Sequence, residues 1–143
     1  MPAGSIDRLP AVGGAYGLLI RLPARLDRQI GALGRVILPP GRYLYLGSAY
    51  GPGGLASRLG RHIRADKRPH WHVDRLTAAG RVERIFALPG GCECDLADRA
   101  LALTGIHAPV AGFGSSDCRR CKSHMLSVPT NQAALIKAFA ALC

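Results

Sequence analysis

Short hydrophobic runs separated by glycine and proline predict several strands in the first third of the chain. Residues 15–22 are rich in Leu, Ile and Tyr and are followed by Pro23, which predicts a central strand. Residues 42–46 predict another strand, dense in aromatic residues and ending at Gly47. Between them, residues 29–38 have a β-like composition interrupted by glycine, so we expect further extended chain there.

Hydrophobic residues recur at helical spacing in the rest of the chain. A helix is predicted over residues 55–65, where Leu55 and Leu59 share a face with His62 or Ile63. The last predicted helix has Thr130 as its expected N-cap. The remaining expected elements are helices at residues 71–79, 94–103 and 130–142, strands at 82–88 and 125–128, and a long irregular loop at 107–120.

These elements predict one α+β domain, a small and mainly antiparallel β-sheet flanked by helices. We interpret residues 1–12 as a loose N-terminal lead-in and residues 13–143 as the domain. The chain has no internal repeat and no low-complexity linker. Its 143 residues, 48% of them hydrophobic, are enough to bury a core without disulfide bonds.

The charge balance points to a polyanionic partner. Nineteen Lys and Arg against nine Asp and Glu leave a formal charge of +10. A compact domain of this charge attracts polyanions, and nucleic acid is the commonest of them. The alternative is compositional, because an excess of Arg, Ala and Gly also arises from a GC-rich genome. A membrane surface is disfavoured, since no long amphipathic basic helix is predicted.

The sequence also bears on the compartment. No window approaches the ~20 apolar residues that cross a bilayer. The first ten residues lack the basic flank and apolar run of a signal peptide. We therefore expect a cytoplasmic protein without a membrane partner, in which the five cysteines serve as thiols or metal ligands rather than as disulfides.

Two short motifs then suggest a family. Gly14-Ala15-Tyr16 lies on the first predicted strand, and Tyr45-Leu46-Gly47 lies on a later one that runs into a glycine-rich loop and a helix carrying Arg58. This pattern resembles the GIY-YIG nucleases, and the wider string resembles their DUF123-like branch, over about residues 13–126. The string comprises residues 41–49, 53–55, 58, 61–62, 71–74, 93–94 and 112–118.

The resemblance implies a sheet of the GIY-YIG kind and phosphodiester hydrolysis assisted by Mg²⁺ or Mn²⁺. It implies that Tyr45 is the general base and that Tyr16 helps to place the attacking water. A tyrosine serves as a base only if its pKa of ~10 falls. The alternative for both is a core aromatic residue with a satisfied hydroxyl group.

The helix after the second motif supplies cationic candidates. Arg58 lies where the family has its phosphate-binding arginine, and His62 follows one turn later as a donor to a phosphate oxygen. Arg61 and Arg64 are candidates for non-specific contacts with the nucleic-acid backbone, along with Gly47 and Ser48 at the motif. The alternative for the arginines is a solvated helix face, and for His62 a packed side chain.

Glu93 is the candidate ligand for the catalytic metal. A single carboxylate supplemented by water and phosphate oxygens suits Mg²⁺. The alternative is a carboxylate that stabilises a helix start through the helix dipole. The glycine-rich residues 51–54 are a candidate phosphate cradle at a helix N-terminus, or a simple strand-to-helix connection.

Two departures from the family pattern matter. The segment between the motifs is longer than in compact relatives, which predicts an extra hairpin around residues 31–40. Ser48 stands where many relatives have a lysine, which removes one positive charge near the phosphate.

The cysteines form a second candidate site. Cys118, Cys121 and His124 have the spacing C-x2-C-x2-H, and Cys94 or Cys92 is a candidate fourth ligand for a structural Zn²⁺. Buried thiols or a redox-active pair are the alternatives. Trp71 is interpreted as an anchor in the core, and His72 and Asp74 as residues with local hydrogen bonds. The alternative is metal ligation by His70, His72 and Asp74.

Three functional hypotheses follow from the sequence. The first is a metal-dependent endonuclease, acting on DNA in repair or processing. The second is a nucleic-acid-binding module without turnover that directs a DNA-repair protein partner. The third is a zinc-stabilised interaction domain. The combination of two tyrosines, an arginine and a lone glutamate favours the first over the second.

Overall fold

The computed structural model describes residues 9–63, 72–114 and 121–140. These residues form six strands and four α-helices, which confirms the α+β class and the mainly antiparallel sheet. The strands are β1 (Gly14–Leu22), β2 (Leu26–Gln29), β3 (Arg35–Leu38), β4 (Gly41–Ser48), β5 (Arg81–Pro89) and β6 (Met125–Val128). The helices are α1 (Gly54–Ile63), α2 (His72–Ala79), α3 (Glu93–Leu101) and α4 (Ala133–Ala140).

The main sheet has the strand order β5-β1-β4-β6, with every neighbouring pair antiparallel. Its central strand β1 is buried at every position except Arg21. Because successive side chains of a strand point to opposite faces, a strand covered on both sides needs apolar residues throughout. The continuous hydrophobic run at residues 15–22 is therefore the signature of a strand buried on both faces.

Two apolar clusters lie on the two faces of this sheet. On one face, Tyr16, Leu18 and Ile20 of β1 pack with α1, α2 and the small β2–β3 sheet. On the other face, Ala15 and Leu19 of β1 pack with α3 and α4. The sheet is thus the middle layer of three, and the side chains of one strand contribute alternately to the two clusters.

The predicted extra hairpin is present between the two tyrosine motifs, but it begins earlier than expected. Strands β2 and β3 pair antiparallel, and a short 3₁₀ helix at Gly31–Leu33 connects them. Gly31 and Gly34 have positive φ there, which explains the two glycines in the predicted extended stretch. The sequence did not indicate β2, because only Leu26 among its four residues is buried.

The helix boundaries differ in detail from the prediction. The side chain of Asn131, rather than that of Thr130, caps α4, since its Oδ1 accepts a 3.0 Å hydrogen bond from the amide of Ala133. Helix α3 begins at Glu93 and ends at Leu101, two residues before the predicted end. Residues 64, 65 and 71, at the ends of two predicted helices, and residues 115–120 of the predicted loop lie outside the described residues.

The described part of the predicted lead-in is attached to α1. Leu9 is buried, and the carbonyl groups of Pro10 and Val12 accept hydrogen bonds from the first amides of α1, those of Ala56 and Leu55. The donors are 3.2 and 2.9 Å from these oxygens. The chain that precedes β1 therefore accepts the hydrogen bonds of the first amides of α1.

An ion pair joins the two helices on the face that carries the tyrosines. Both terminal nitrogens of Arg61 in α1 bond to the carboxylate of Asp74 in α2, at 2.9 and 3.0 Å. The Asp74 side chain is fully buried and that of Arg61 is 21% exposed. A buried carboxylate is stable only while its partner is present, so this pair fixes the position of α2 against α1.

Replacing Arg61 should therefore destabilise the fold strongly. We expect Arg61→Met to lower the free energy of unfolding by about 3–5 kcal/mol, because it leaves Asp74 buried without its countercharge. Urea unfolding at neutral pH measures the loss. Arg35→Met is the control, since Arg35 also holds a carboxylate, that of Asp27, through two hydrogen bonds, but on the exposed hairpin. Equal losses in the two variants would contradict this account, because an exposed pair contributes little.

Candidate functional site

Tyr16 and Gly47 face each other across the pairing of β1 with β4. The register places them as direct partners. A Cβ atom on Gly47 would lie 2.3 Å from the Tyr16 hydroxyl oxygen and 2.4 Å from Cζ, distances that no side chain tolerates. The glycine of the second motif therefore provides the space that the tyrosine of the first motif occupies.

Tyr45 lies on the same face of the sheet as Tyr16. It is on β4, two residues before Gly47, and the centroids of the two tyrosine rings are 6.3 Å apart. Both rings are at least nine-tenths buried, and both belong to the apolar cluster under α1. The antiparallel pairing of two adjacent strands thus brings two residues that are distant in sequence onto one surface.

His62 completes this group from α1. Its Nε2 atom is 2.7 Å from the Tyr16 hydroxyl oxygen, within a buried hydrogen bond. The imidazole centroid lies 5.3 Å from the Tyr16 ring and 6.1 Å from the Tyr45 ring. Of the two residues that the helical spacing left open, His62 is the fully buried one and Ile63 is partly exposed. The histidine is directed at the tyrosine pair.

Burial controls the electrostatics of both tyrosines. It raises the pKa of Tyr45 to about 12 and raises that of Tyr16 further, with the neighbouring Tyr45 adding to the effect on Tyr16. The charge of Arg58 opposes both shifts, and for Tyr16 a hydrogen bond from the Arg58 side chain also lowers the pKa. Arg58 is partly exposed, and its guanidinium group lies within electrostatic range of both tyrosines.

Glu93 acts on this group from the first turn of α3. Its carboxylate raises the pKa of Tyr45, and it also acts electrostatically on His124. It is partly exposed, although its helix packs against the opposite face of the sheet. The helix starts at the end of the sheet where β4 terminates, which places the carboxylate near Tyr45.

The other residues predicted to bind nucleic acid have different surroundings. Gly47 is buried under Tyr16, and Ser48 is partly exposed at the end of β4. Arg61 bonds to the side chain of Asp74, which lies 13 residues away in the chain. Arg64 lies outside the described residues.

The candidate phosphate cradle is already occupied by the protein itself. The amides at the start of α1 donate to carbonyl groups of the preceding chain, as described above for Leu55 and Ala56, and that of Ser57 donates to Gly53. An anion at this helix start would have to displace those bonds. The glycine-rich turn is thus a strand-to-helix connection, with Gly53 and Gly54 in the positive φ region.

The predicted metal-ligand residues come together in part. The ligand atoms of Cys94, Cys121 and His124 all lie within 4.8 Å of one another, and Cys94 Sγ is 3.9 Å from His124 Nε2. These three residues form a cluster that is able to hold a metal ion. Cys92 is exposed and not part of the cluster, and Cys118 lies outside the described residues. Burial lowers the pKa of His124.

Comparison with known protein families assigns the chain to one of them. The family model described as "domain of unknown function DUF123" matches residues 15–142. The chain belongs to the DUF123 family. No curated protein and no solved structure matches it. In the described part of the chain, no helix has the length and apolar content needed to cross a membrane.

One contact in the site of this DUF123 domain was not foreseen from the sequence. A Cβ atom on Gly114 would lie 2.7 Å from the Tyr45 ring, and Gly114 has a φ of +69°. Its amide donates a 2.9 Å hydrogen bond to Nδ1 of His72. The partner of His72 is therefore 42 residues away in the chain rather than local. The bond holds the loop at Gly114 against Tyr45. The glycines at 112 and 114 are the signal from which a close approach of the backbone could have been predicted.

The contact between Tyr16 and Gly47 gives a stability prediction. We expect Gly47→Ala to lower the free energy of unfolding by about 1–3 kcal/mol, because the added methyl group collides with the Tyr16 ring. Gly60→Ala in α1 is the control, since open space surrounds that position. It should stabilise the domain by up to about 1 kcal/mol through helix propensity. Chemical denaturation of both variants checks the opposite signs, and a neutral Gly47→Ala would refute the steric account.

The raised pKa of Tyr45 gives a pH prediction. Its folded-state pKa of about 12 lies above the ordinary value of 10, so the folded state holds its proton more tightly. The associated stability is complete below about pH 10 and is lost as the pH rises toward 12, at about 1.4 kcal/mol per pH unit for each such group. Tyr45→Phe should reduce the slope of unfolding free energy against pH in this window.

Tyr50→Phe is the control for that measurement, because the Tyr50 ring is 60% exposed. Its slope is the reference with which that of Tyr45→Phe is compared. Part of the slope should persist in Tyr45→Phe, because burial also raises the pKa of Tyr16 and Tyr43. Identical slopes in wild type and Tyr45→Phe would show that Tyr45 ionises as it does in the unfolded chain.

Proposed function

We propose that this DUF123 domain binds nucleic acid, with DNA as the preferred class, and hydrolyses phosphodiester bonds as a metal-dependent endonuclease of the GIY-YIG kind. The observation that carries the proposal is the convergence of Tyr16, Tyr45 and His62 on one face, with Arg58 beside both tyrosines. DNA repair or processing is the proposed context, with a repair protein as the proposed partner.

Arg58 is suited to hold the scissile phosphate. A guanidinium group is permanently charged and binds phosphate through two parallel hydrogen bonds. Its charge already lowers the pKa of each tyrosine, so it lies within electrostatic range of the atoms that would act on the phosphate. Arg61 is already committed to Asp74 at 2.9 Å. Among the arginines of α1, Arg58 is therefore our choice for the phosphate ligand.

Tyr45 is the proposed general base. Burial holds its pKa at about 12, which is too high for a base at neutral pH without help from a nearby positive charge. The Glu93 carboxylate raises the pKa of Tyr45 through its negative charge. A cation bound to that carboxylate would therefore lower the pKa of Tyr45. This electrostatic connection is why we assign Glu93 as the ligand of the catalytic ion.

A Mg²⁺ or Mn²⁺ ion fits this position. Glu93 is partly exposed, and Mg²⁺ binds through one or two carboxylates while it keeps much of its water. When bound, such an ion supplies positive charge that activates water and neutralises the phosphate. Zn²⁺ is instead the ion we propose for Cys94, Cys121 and His124, because thiolate and imidazole ligands favour it.

Tyr16 and His62 have a positioning role in this proposal. The pKa of Tyr16 is raised even more than that of Tyr45, so its hydroxyl group stays protonated. The 2.7 Å hydrogen bond to His62 fixes the direction of that hydroxyl group. A neutral hydroxyl with a fixed direction can orient a water or a phosphate oxygen without itself accepting the proton.

A nucleic-acid-binding module without turnover is the second candidate. The observation in its favour is the burial of both tyrosines, which raises the pKa of each. Two protonated tyrosines packed against a histidine also make a stable, non-reactive core. Both candidates predict binding that weakens steeply with salt, since Lys and Arg would neutralise phosphates.

Cleavage of labelled branched and single-stranded DNA, with Mg²⁺ or Mn²⁺ and with a chelator, tests the first candidate against the second. We expect metal-dependent cleavage by the wild type. Tyr45→Phe should lower the rate by about 10²-fold or more through loss of the base, and Arg58→Ala by about 10²–10³-fold. Glu93→Gln should lower the rate and raise the Mg²⁺ concentration that is needed.

Matched controls separate chemistry from binding. Tyr50→Phe changes an exposed tyrosine, and Arg35→Met changes an arginine on the hairpin. Each should cleave like the wild type, and binding of the same DNA is measured for every variant. Salt-sensitive binding without cleavage would replace the endonuclease by the binding module. The absence of binding would reject both, and full activity in Glu93→Gln would remove its assignment as metal ligand.

A further inference from the structure

Cys94, Cys121 and His124 have the donor set and spacing of a metal site. Two thiol sulfurs and an imidazole nitrogen lie within 4.8 Å of one another. Tetrahedral Zn²⁺, with bonds of ~2.0–2.3 Å, needs its ligand atoms roughly 3.5–3.8 Å apart. The 3.9 Å between Cys94 Sγ and His124 Nε2 is already close to that value. Only small side-chain adjustments separate the cluster from a coordination sphere.

The backbone holds the histidine of this cluster in place. The His124 amide donates to the carbonyl group of Phe113 at 2.9 Å, and its own carbonyl accepts from the Leu46 amide at 2.8 Å. The adjacent Ser123 hydroxyl bonds to the backbone of Met125. A ligand fixed on both sides loses little conformational freedom when it binds an ion. The backbone of this one ligand is therefore held in place by the fold.

The cluster is also accessible. Cys94 and His124 are buried, whereas Cys121 is partly exposed. One ligand at the surface gives an ion a path of entry, and the described residues supply three of the four ligands of a tetrahedral ion. Soft thiolates exclude Mg²⁺, which prefers oxygen ligands, so this site is chemically distinct from the one proposed at Glu93.

The start of α3 is where such an ion would matter most. Cys92 is the residue at the N-cap position, and its side chain makes no capping hydrogen bond there. Side-chain caps ordinarily satisfy the first amides of a helix and fix its start. Glu93 and Cys94 are the first two residues of this helix. A metal–sulfur bond to Cys94 would attach this first turn one residue from Glu93.

We infer that Cys94, Cys121 and His124 bind Zn²⁺, and that the bound ion attaches the start of α3 to the chain entering β6. The ion thereby fixes the position of Glu93 at the end of the sheet. Binding of the ion stands on the cluster alone. Its effect on hydrolysis rests on the proposed function, so the two parts are tested by separate measurements.

Metal content of the purified full chain tests the site directly. Under reducing conditions we expect about one zinc per chain in the wild type and in Cys92→Ser, and loss of zinc in Cys94→Ser and in His124→Asn. Cys92 is the matched control, because it is an exposed cysteine two residues before Cys94. Circular dichroism verifies that each variant is folded.

Cobalt substitution and chelation keep the test informative if the variants do not fold. The wild type loaded with Co²⁺ should show thiolate charge-transfer absorption and the intense visible bands of tetrahedral coordination. Removal of zinc by a chelator should lower the unfolding temperature, and addition of zinc should restore it. Hydrogen exchange should accelerate at the first turn of α3 and not in α4.

Three results would overturn the inference. One is a wild type that contains no zinc and shows no thiolate band with Co²⁺. Another is full zinc content in folded Cys94→Ser and His124→Asn. The third is a disulfide between Cys94 and Cys121 in the protein as purified, shown by mass spectrometry of its peptides. None of these measurements involves nucleic acid, so failure of the endonuclease proposal leaves them unaffected.

Discussion

The close approach of β1 and β4 at Tyr16 and Gly47 determines the arrangement around it. The tyrosine ring occupies the space that a side chain at position 47 would fill, and this fixes the register of the two central strands. The same register puts Tyr45 on the face of Tyr16 and turns both rings toward His62 on α1. A shift of one residue would turn the residues of one strand to the opposite layer. The site thus depends on one steric fit within the sheet.

The arginines of this chain differ in what their positive charges do. The chain carries a large excess of arginine, yet the arginines of α1 have different tasks. Arg61 neutralises the buried Asp74 and so stabilises the packing of α1 on α2. Arg58, one turn earlier, adjusts the proton affinity of the tyrosines. A residue count cannot distinguish these tasks, because they are set by which residue lies opposite each guanidinium group.

Much of the fold could be predicted from the sequence because it depends on local pattern. The double-sided burial of β1 and the helical spacing of Leu55, Leu59 and His62 are visible as hydrophobic periodicity. Strand β2 was missed because its outward residues are polar and only Leu26 contributes to the core. A short strand with a single buried residue has no period to detect.

The candidate site was likewise predicted in part from the sequence. The tyrosine motifs pointed to residues that the structure brings together, and the C-x2-C-x2-H spacing pointed to two residues of the thiol–imidazole cluster. The partners Arg61–Asp74 and His72–Gly114 could not be predicted, since each joins segments with no shared pattern. Nor could the use of the first α1 amides, which depends on where the preceding chain passes.

The connection between residues 10–12 and the start of α1 has a practical consequence for protein engineering. An affinity or fluorescent domain fused directly before Leu9 would pull on the segment that closes the first turn of the helix carrying Arg58 and His62. Mechanical disturbance at that junction would therefore reach the tyrosine pair. A fusion behind α4 would instead pull on a helix of the opposite layer, so a reporter attached there interferes less.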